Sequence, residues 1–111
     1  MKIYLSGPMR NYPEFNFPAF HAARASLRGQ GHTVVCPAER DLESGFDPSR
    51  TLAEQDFDLD AALAYDVAAL PWVDAIALLP GWQYSAGCAV ELERAVELDL
   101  LILNLLDESW E

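Results

Sequence analysis

Hydrophobic residues recur along this chain in two rhythms, short unbroken runs and longer stretches with helical spacing. Residues 2–6 form an apolar run closed by Gly7-Pro8 and are predicted to be a buried strand. In residues 16–29, Phe17, Phe20, Ala23 and Leu27 share one helical face, with Asn16 the candidate cap and Pro18 suited to the first turn. Gly29 and Gly31 end that helix, and Thr33-Val34-Val35-Cys36 follows as a β-branched strand closed by Pro37. Residues 38–50 are polar, contain Gly45 and Pro48, and are expected to form a surface loop. A long helix is expected over residues 51–70, where Pro71 stops it. A third strand is expected over 73–79, a third main helix over 86–98, and a fourth strand over 100–103.

Strands without polar alternation are buried on both faces, which occurs when helices cover a parallel sheet. The order of elements therefore predicts an α/β fold: a small doubly wound, flavodoxin-like or Rossmann-like sheet of four or five mainly parallel strands with helices on both faces. One domain is expected over residues 1–111. Ligands of such folds sit at the carboxyl ends of the strands. Here those ends are residues 6–10, 36–39 and 80–85, which concentrate glycine, hydroxyl, aromatic and charged side chains.

Composition narrows the function. The net charge of −11, from 18 acids against 7 bases, argues against a nucleic-acid polymer or an anionic membrane as partner. No apolar run approaches the roughly 20 residues of a membrane span, and residues 1–8 do not hold a signal peptide's apolar core. Cys36 and Cys88 lie in no metal or disulfide spacing, so a cytoplasmic domain without a bound metal is expected.

Two acids stand where apolar residues belong. Asp66 lies three residues after Leu63 and four before Leu70, on or beside the buried face of the long helix. It either borders solvent or serves a cavity, because an unpaired buried acid is costly. Glu91 falls between Cys88 and Ala95 on the apolar side of the third main helix, whose apolar set also takes in Leu92 and Val96. It either improves the helix start or stands as an anion beside a ligand. Paired carboxylates in unlike surroundings are the usual apparatus of glycosyl chemistry. After the first strand, Gly7 permits close backbone approach, and Ser6 and Arg10 supply a hydroxyl and a cation; a plain strand-ending turn is the other reading. Trp82 and Tyr84 offer stacking faces, and Ser85 is a candidate cap whose turn can also hold an oxyanion.

Tyr4-Leu5-Ser6-Gly7-Pro8-Met9, the stretch from Asp66 to Val73-Asp74-Ala75-Ile76, and Ser85-Ala86-Gly87-Cys88-Ala89-Val90-Glu91 resemble the nucleoside 2-deoxyribosyltransferases and the related deoxynucleoside-monophosphate glycosidases. Gly31-His32 and the Pro80-Gly81-Trp82 loop are most similar to small phage and prophage members of that superfamily. The resemblance implies that Glu91 is the nucleophile, that Asp66 manages the departing base, and that Tyr4 is an active-site tyrosine. It implies substrate binding by Ser6, Gly7, Pro8, Met9, Arg10, Trp82, Ser85 and Gly87, a nucleoside or nucleotide as small-molecule partner, no cofactor, and a homo-oligomer whose sites are completed by a neighbouring subunit. Cys88, Gln83 and Cys36 depart from the family pattern at positions that bear on substrate choice. The expected activity is cleavage or transfer at the N-glycosidic bond. A nucleotide-binding module without turnover and an acidic interaction protein are the alternatives.

Overall fold

The computed structural model describes residues 1–105 and the backbone of 109–110. Five strands make one sheet in the order β2-β1-β3-β4-β5. The strands β1 (Lys2–Ser6), β2 (Thr33–Val35), β3 (Ala75–Leu78) and β4 (Leu101–Asn104) are parallel, and β5 (Ser109–Trp110) runs antiparallel to β4. The expected doubly wound fold is the observed one. Residues 106–108 and 111 of the expected domain lie outside the described residues.

Alternation along the strands divides the interior in two. Ile3 and Leu5 on β1, with Ala75 and Ala77 on β3, meet Phe17, Phe20 and Leu27 of α1 (Phe17–Gly29). Tyr4, Ile76 and Leu78 point the other way, toward Val67 and Leu70 from α4 (Leu59–Ala69) and the turn after it, and toward Leu92 and Ala95 of α5 (Ala86–Glu97). The helices thus cover both faces.

Four expectations are corrected. The polar stretch 38–50 is not a plain loop, because Pro37 opens a short helix, α2 (Pro37–Glu43), that buries Pro37 and Ala38. Proline is pre-organised for a first helical turn, and Ala38 through Leu42 tolerate the helix. Phe46 then turns inward against Phe15, Phe17 and Phe57. The single long helix is two helices: α3 (Leu52–Gln55) ends where Asp56 takes a left-handed conformation (φ 50°), and α4 begins anew with Asp58 as its cap. Thr51 and Glu54 form a capping box on α3, so Glu54 and Asp58 serve helix starts. Asn16 does not cap α1 with its side chain, whose Nδ2 donates to the Pro8 carbonyl at 2.9 Å. Val96, expected on the apolar side of α5, is 57% exposed.

Gly7 has a packing role. A Cβ there would stand 2.7 Å from Leu79 Cδ1, so the β1 and β3 ends close together only over a glycine. Gly7→Ala is expected to cost about 1–3 kcal/mol of stability, the usual penalty of overpacking. Leu79→Ala in the same chain should return part of that loss, and urea denaturation of the two single variants and the double variant measures both effects.

Candidate active site

Strand alternation sends Tyr4 and Ser6, two residues apart on β1, to the face covered by α5. Ser85 caps α5 by accepting from the Cys88 amide at 3.2 Å, which fixes where the helix begins and brings Glu91 over the end of β1. The Glu91 carboxyl is held at both oxygens. Oε1 accepts from Ser6 Oγ at 2.7 Å, and Oε2 accepts a short hydrogen bond from the Tyr4 hydroxyl. Tyr4 and Ser6 are fully buried and Glu91 is 6% exposed.

Asp66 is the only buried residue of α4, 8% exposed. The Tyr4 hydroxyl, whose proton goes to Glu91, also lies near enough to the Asp66 carboxyl for the two groups to act on each other's ionisation. Asp66 Oδ1 lies 3.4 Å from Arg40 Nη1, and the Arg40 guanidinium stacks 3.9 Å from the Tyr65 ring centroid. Both carboxyls are therefore interior and face one phenol.

Burial sets the electrostatics. Desolvation pushes the Glu91 carboxyl up to about 7, against the Tyr4 and Ser6 hydrogen bonds that favour its ionised form, while the Asp66 charge adds to the rise. Desolvation also raises Asp66 to about 6, restrained by Arg40 and Tyr4. Asp41, one residue from Arg40 on α2, is raised to about 7 by burial and by the Asp66 charge. The Tyr4 phenol is driven well above its ordinary value by burial and by Glu91 and Asp66, so it remains a proton donor. Near neutrality such a cluster holds protons in common rather than one per residue.

The other residues singled out in the sequence are dispersed. Pro8 is buried and Met9 packs against the α1-side core. Arg10 is exposed and lines a cleft of about 430 Å³ with Asp56, Asp58 and Asp60. Trp82 packs against the Tyr4 cluster, and its buried indole Nε1 meets no acceptor among the described residues. Tyr84 is 93% exposed. At Gly87 a Cβ would meet only Ser85 Oγ, at 3.9 Å, so the first turn of α5 leaves open space beside the backbone. A second cleft, of about 380 Å³, runs past Arg40, Val35 and Trp72, and neither cleft is lined by Glu91. Among the described residues no group of three or more His, Cys, Asp or Glu side chains is arranged for a metal ion, and no helix is long and apolar enough to cross a membrane. Arg40 and Asp41 escaped the sequence reading. The one signal for them was Pro37, a first-turn proline directly after a strand.

The model of the family described as Domain of unknown function (DUF4406) matches residues 1–104. No curated protein sequence matches the chain. Among solved structures it is similar to a 2-deoxyribosyltransferase from the psychrotolerant bacterium Bacillus psychrosaccharolyticus, with a TM-score of 0.66 and 26% sequence identity. The alignment covers 94% of this chain and 71% of that one.

The raised carboxyls make stability depend on pH in an unusual direction. Asp41, Asp66 and Glu91 bind protons more tightly folded than unfolded, where such groups titrate near 4. The folded state thus holds the extra protons between about pH 4 and 7, and stability falls as pH rises through that window. Glu39, Asp47 and Glu54, held low by Arg28, Ser49 and Thr51 respectively, act below it with the opposite sign. The urea midpoint is expected to be higher at pH 5 than at pH 8. Self-repulsion of the −11 chain acts in the same direction, so a flatter profile in Glu91→Gln isolates the carboxyl's share.

Proposed function

The chain belongs to the DUF4406 family, and we propose that it breaks the N-glycosidic bond of a deoxynucleoside or deoxynucleoside monophosphate through a carboxylate nucleophile. The observation that carries this reading is the interior Glu91, held at both oxygens by Tyr4 and Ser6 with Asp66 facing the same phenol. Similarity to a 2-deoxyribosyltransferase over nearly the whole chain supports the same chemistry.

Glu91 attacks the anomeric carbon of the deoxyribosyl group while the bond to the base breaks, and Asp66 delivers a proton to the departing base. Tyr4 and Ser6 aim the nucleophile. Water completes a hydrolysis and a second base completes a transfer. The capped start of α5, with Ser85 and the open space at Gly87, suits an anionic group of the substrate, to which exposed Arg10 adds a cation. Trp82 and Tyr84 supply aromatic faces for the base, and the orphaned Trp82 Nε1 is a donor for its edge. The enclosure of Glu91 favours one alternative, a nucleotide-binding module that does not turn over.

A homo-oligomer belongs to this reading. Helix α4 carries Leu59, Ala61, Leu63, Ala64, Tyr65, Val67 and Ala68 around its circumference, yet Tyr65 is 64% exposed and Trp72 just beyond it 76% exposed. An apolar surface this exposed is normally covered, and in this reading a second copy of the chain covers it. Light scattering coupled to size-exclusion chromatography should find a dimer or larger assembly, and Ala64→Glu with Trp72→Ser should shift it to monomer.

The activity is tested by incubating purified protein with a panel of deoxynucleosides and their 5′-monophosphates and measuring released or exchanged base. Glu91→Gln is expected to abolish release, and Asp66→Asn to slow it by about 10²–10⁴-fold, the range for losing a general acid. The wild-type rate should be bell-shaped in pH, with limbs near the pair's values of about 6 and 7. Because Asp66 gives up its proton before Glu91, the working form with Glu91 ionised and Asp66 protonated is the minor one of the singly protonated pair. Ligand binding with no base released by the wild type would establish the non-catalytic alternative.

A further inference from the structure

We propose that Arg40 is a positioning residue for Asp66, gripping its carboxyl and deciding when it carries a proton. This rests on the reading of Glu91 and Asp66 as the working pair. Arg40 stands in the last turn of α2, directly after the strand-end stretch 36–39. Its Nη1 is 3.4 Å from Asp66 Oδ1, with only 21% and 11% of the two side chains exposed. Its guanidinium carbon also lies over the ring of Tyr65, the residue preceding Asp66, 3.9 Å from the centroid. One planar cation is thereby clamped by two consecutive positions of α4, a fit that lysine does not reproduce.

The charge count around Asp66 explains why this contact matters. Tyr4 faces it from β1, Glu91 acts through Tyr4 from α5, and Asp41 and Arg40 act from α2. Three carboxyls and a phenol share this interior with Arg40, the cation that acts on Asp66 and Asp41. Its presence favours the ionised form of both acids, and its loss leaves them competing with Glu91 for protons. A simple tether between α2 and α4 would share this geometry and move the Asp66 titration as well, but would leave kcat unchanged when lysine keeps the charge and loses the planar grip.

The test is carbon-detected NMR titration of the side-chain carboxyls, with the Asp66 resonance assigned from the spectrum of Asp66→Asn. In Arg40→Gln the Asp66 midpoint is expected to rise by about one pH unit, the low end for losing an opposite charge at this distance. Arg40→Lys should keep the midpoint near wild type while lowering kcat several-fold, because the charge remains and the planar grip is lost. If Arg40→Gln does not fold, the wild-type chain still answers: the Arg40 guanidinium nitrogen resonances should shift with the same midpoint as Asp66. An unmoved Asp66 midpoint in folded Arg40→Gln, or guanidinium resonances indifferent to Asp66 titration, overturns the proposal. Should the wild type release no base while Asp66 still follows Arg40, the glycosidic reading fails and the positioning role of Arg40 stands. An active wild type whose Asp66 ignores Arg40 gives the reverse.

Discussion

An ionisable carboxyl between a sheet and a helix has to be satisfied where it stands, because moving a charge out of water without partners costs several kcal/mol. Glu91 is satisfied by two hydroxyls from alternate positions of one strand. That arrangement constrains much of the molecule. β1 must keep the register that turns Tyr4 and Ser6 toward α5, since a slip of one residue would present Ile3 and Leu5 instead. The Ser85 cap must start α5 where it does, or the carboxyl would rise past the strand end. Gly7 must be a glycine for Leu79 to close over the end of β1.

Topology supplies the place. In the order β2-β1-β3-β4-β5 the chain leaves β1 over one face through α1 and returns to β3 over the other through α4. Neighbouring strands with diverging connections open a crevice at their carboxyl ends, the usual ligand position of this fold. The Glu91 carboxyl is held beside the last residue of β1, Ser6. The 2-deoxyribosyltransferase of similar fold shows that this framework hosts deoxyribosyl chemistry in another protein.

The acidic middle of the chain is where local sequence and final structure part. Read as one helix, residues 51–70 would carry Asp56, Asp58 and Asp60 at alternate positions of its early part, most of them reaching water. The chain instead stops at Asp56, tolerated there because aspartate adopts left-handed backbone more readily than most residues. Asp58 then finds the Ala61 amide as a cap. The polar run before it hides α2, whose seven residues are too few for a helical period to emerge against four charged side chains. With α2 came Arg40 and Asp41, the members of the cluster that no spacing announced.

By itself the sequence determined the four parallel strands, α1 and α5, the α/β class and the two misplaced acids, because these are written in periodicity and in violations of it. Asp66 and Glu91 were legible for that reason: each interrupts an apolar stripe, and burial of a charge needs an explanation. Only the tertiary structure decided what surrounds them. The phenol facing both carboxyls, the serine under Glu91 and the guanidinium beside Asp66 come from elements 26 to 87 residues apart in sequence. Such contacts depend on strand register and helix placement, which follow from packing the whole chain at once and leave no trace in any local pattern.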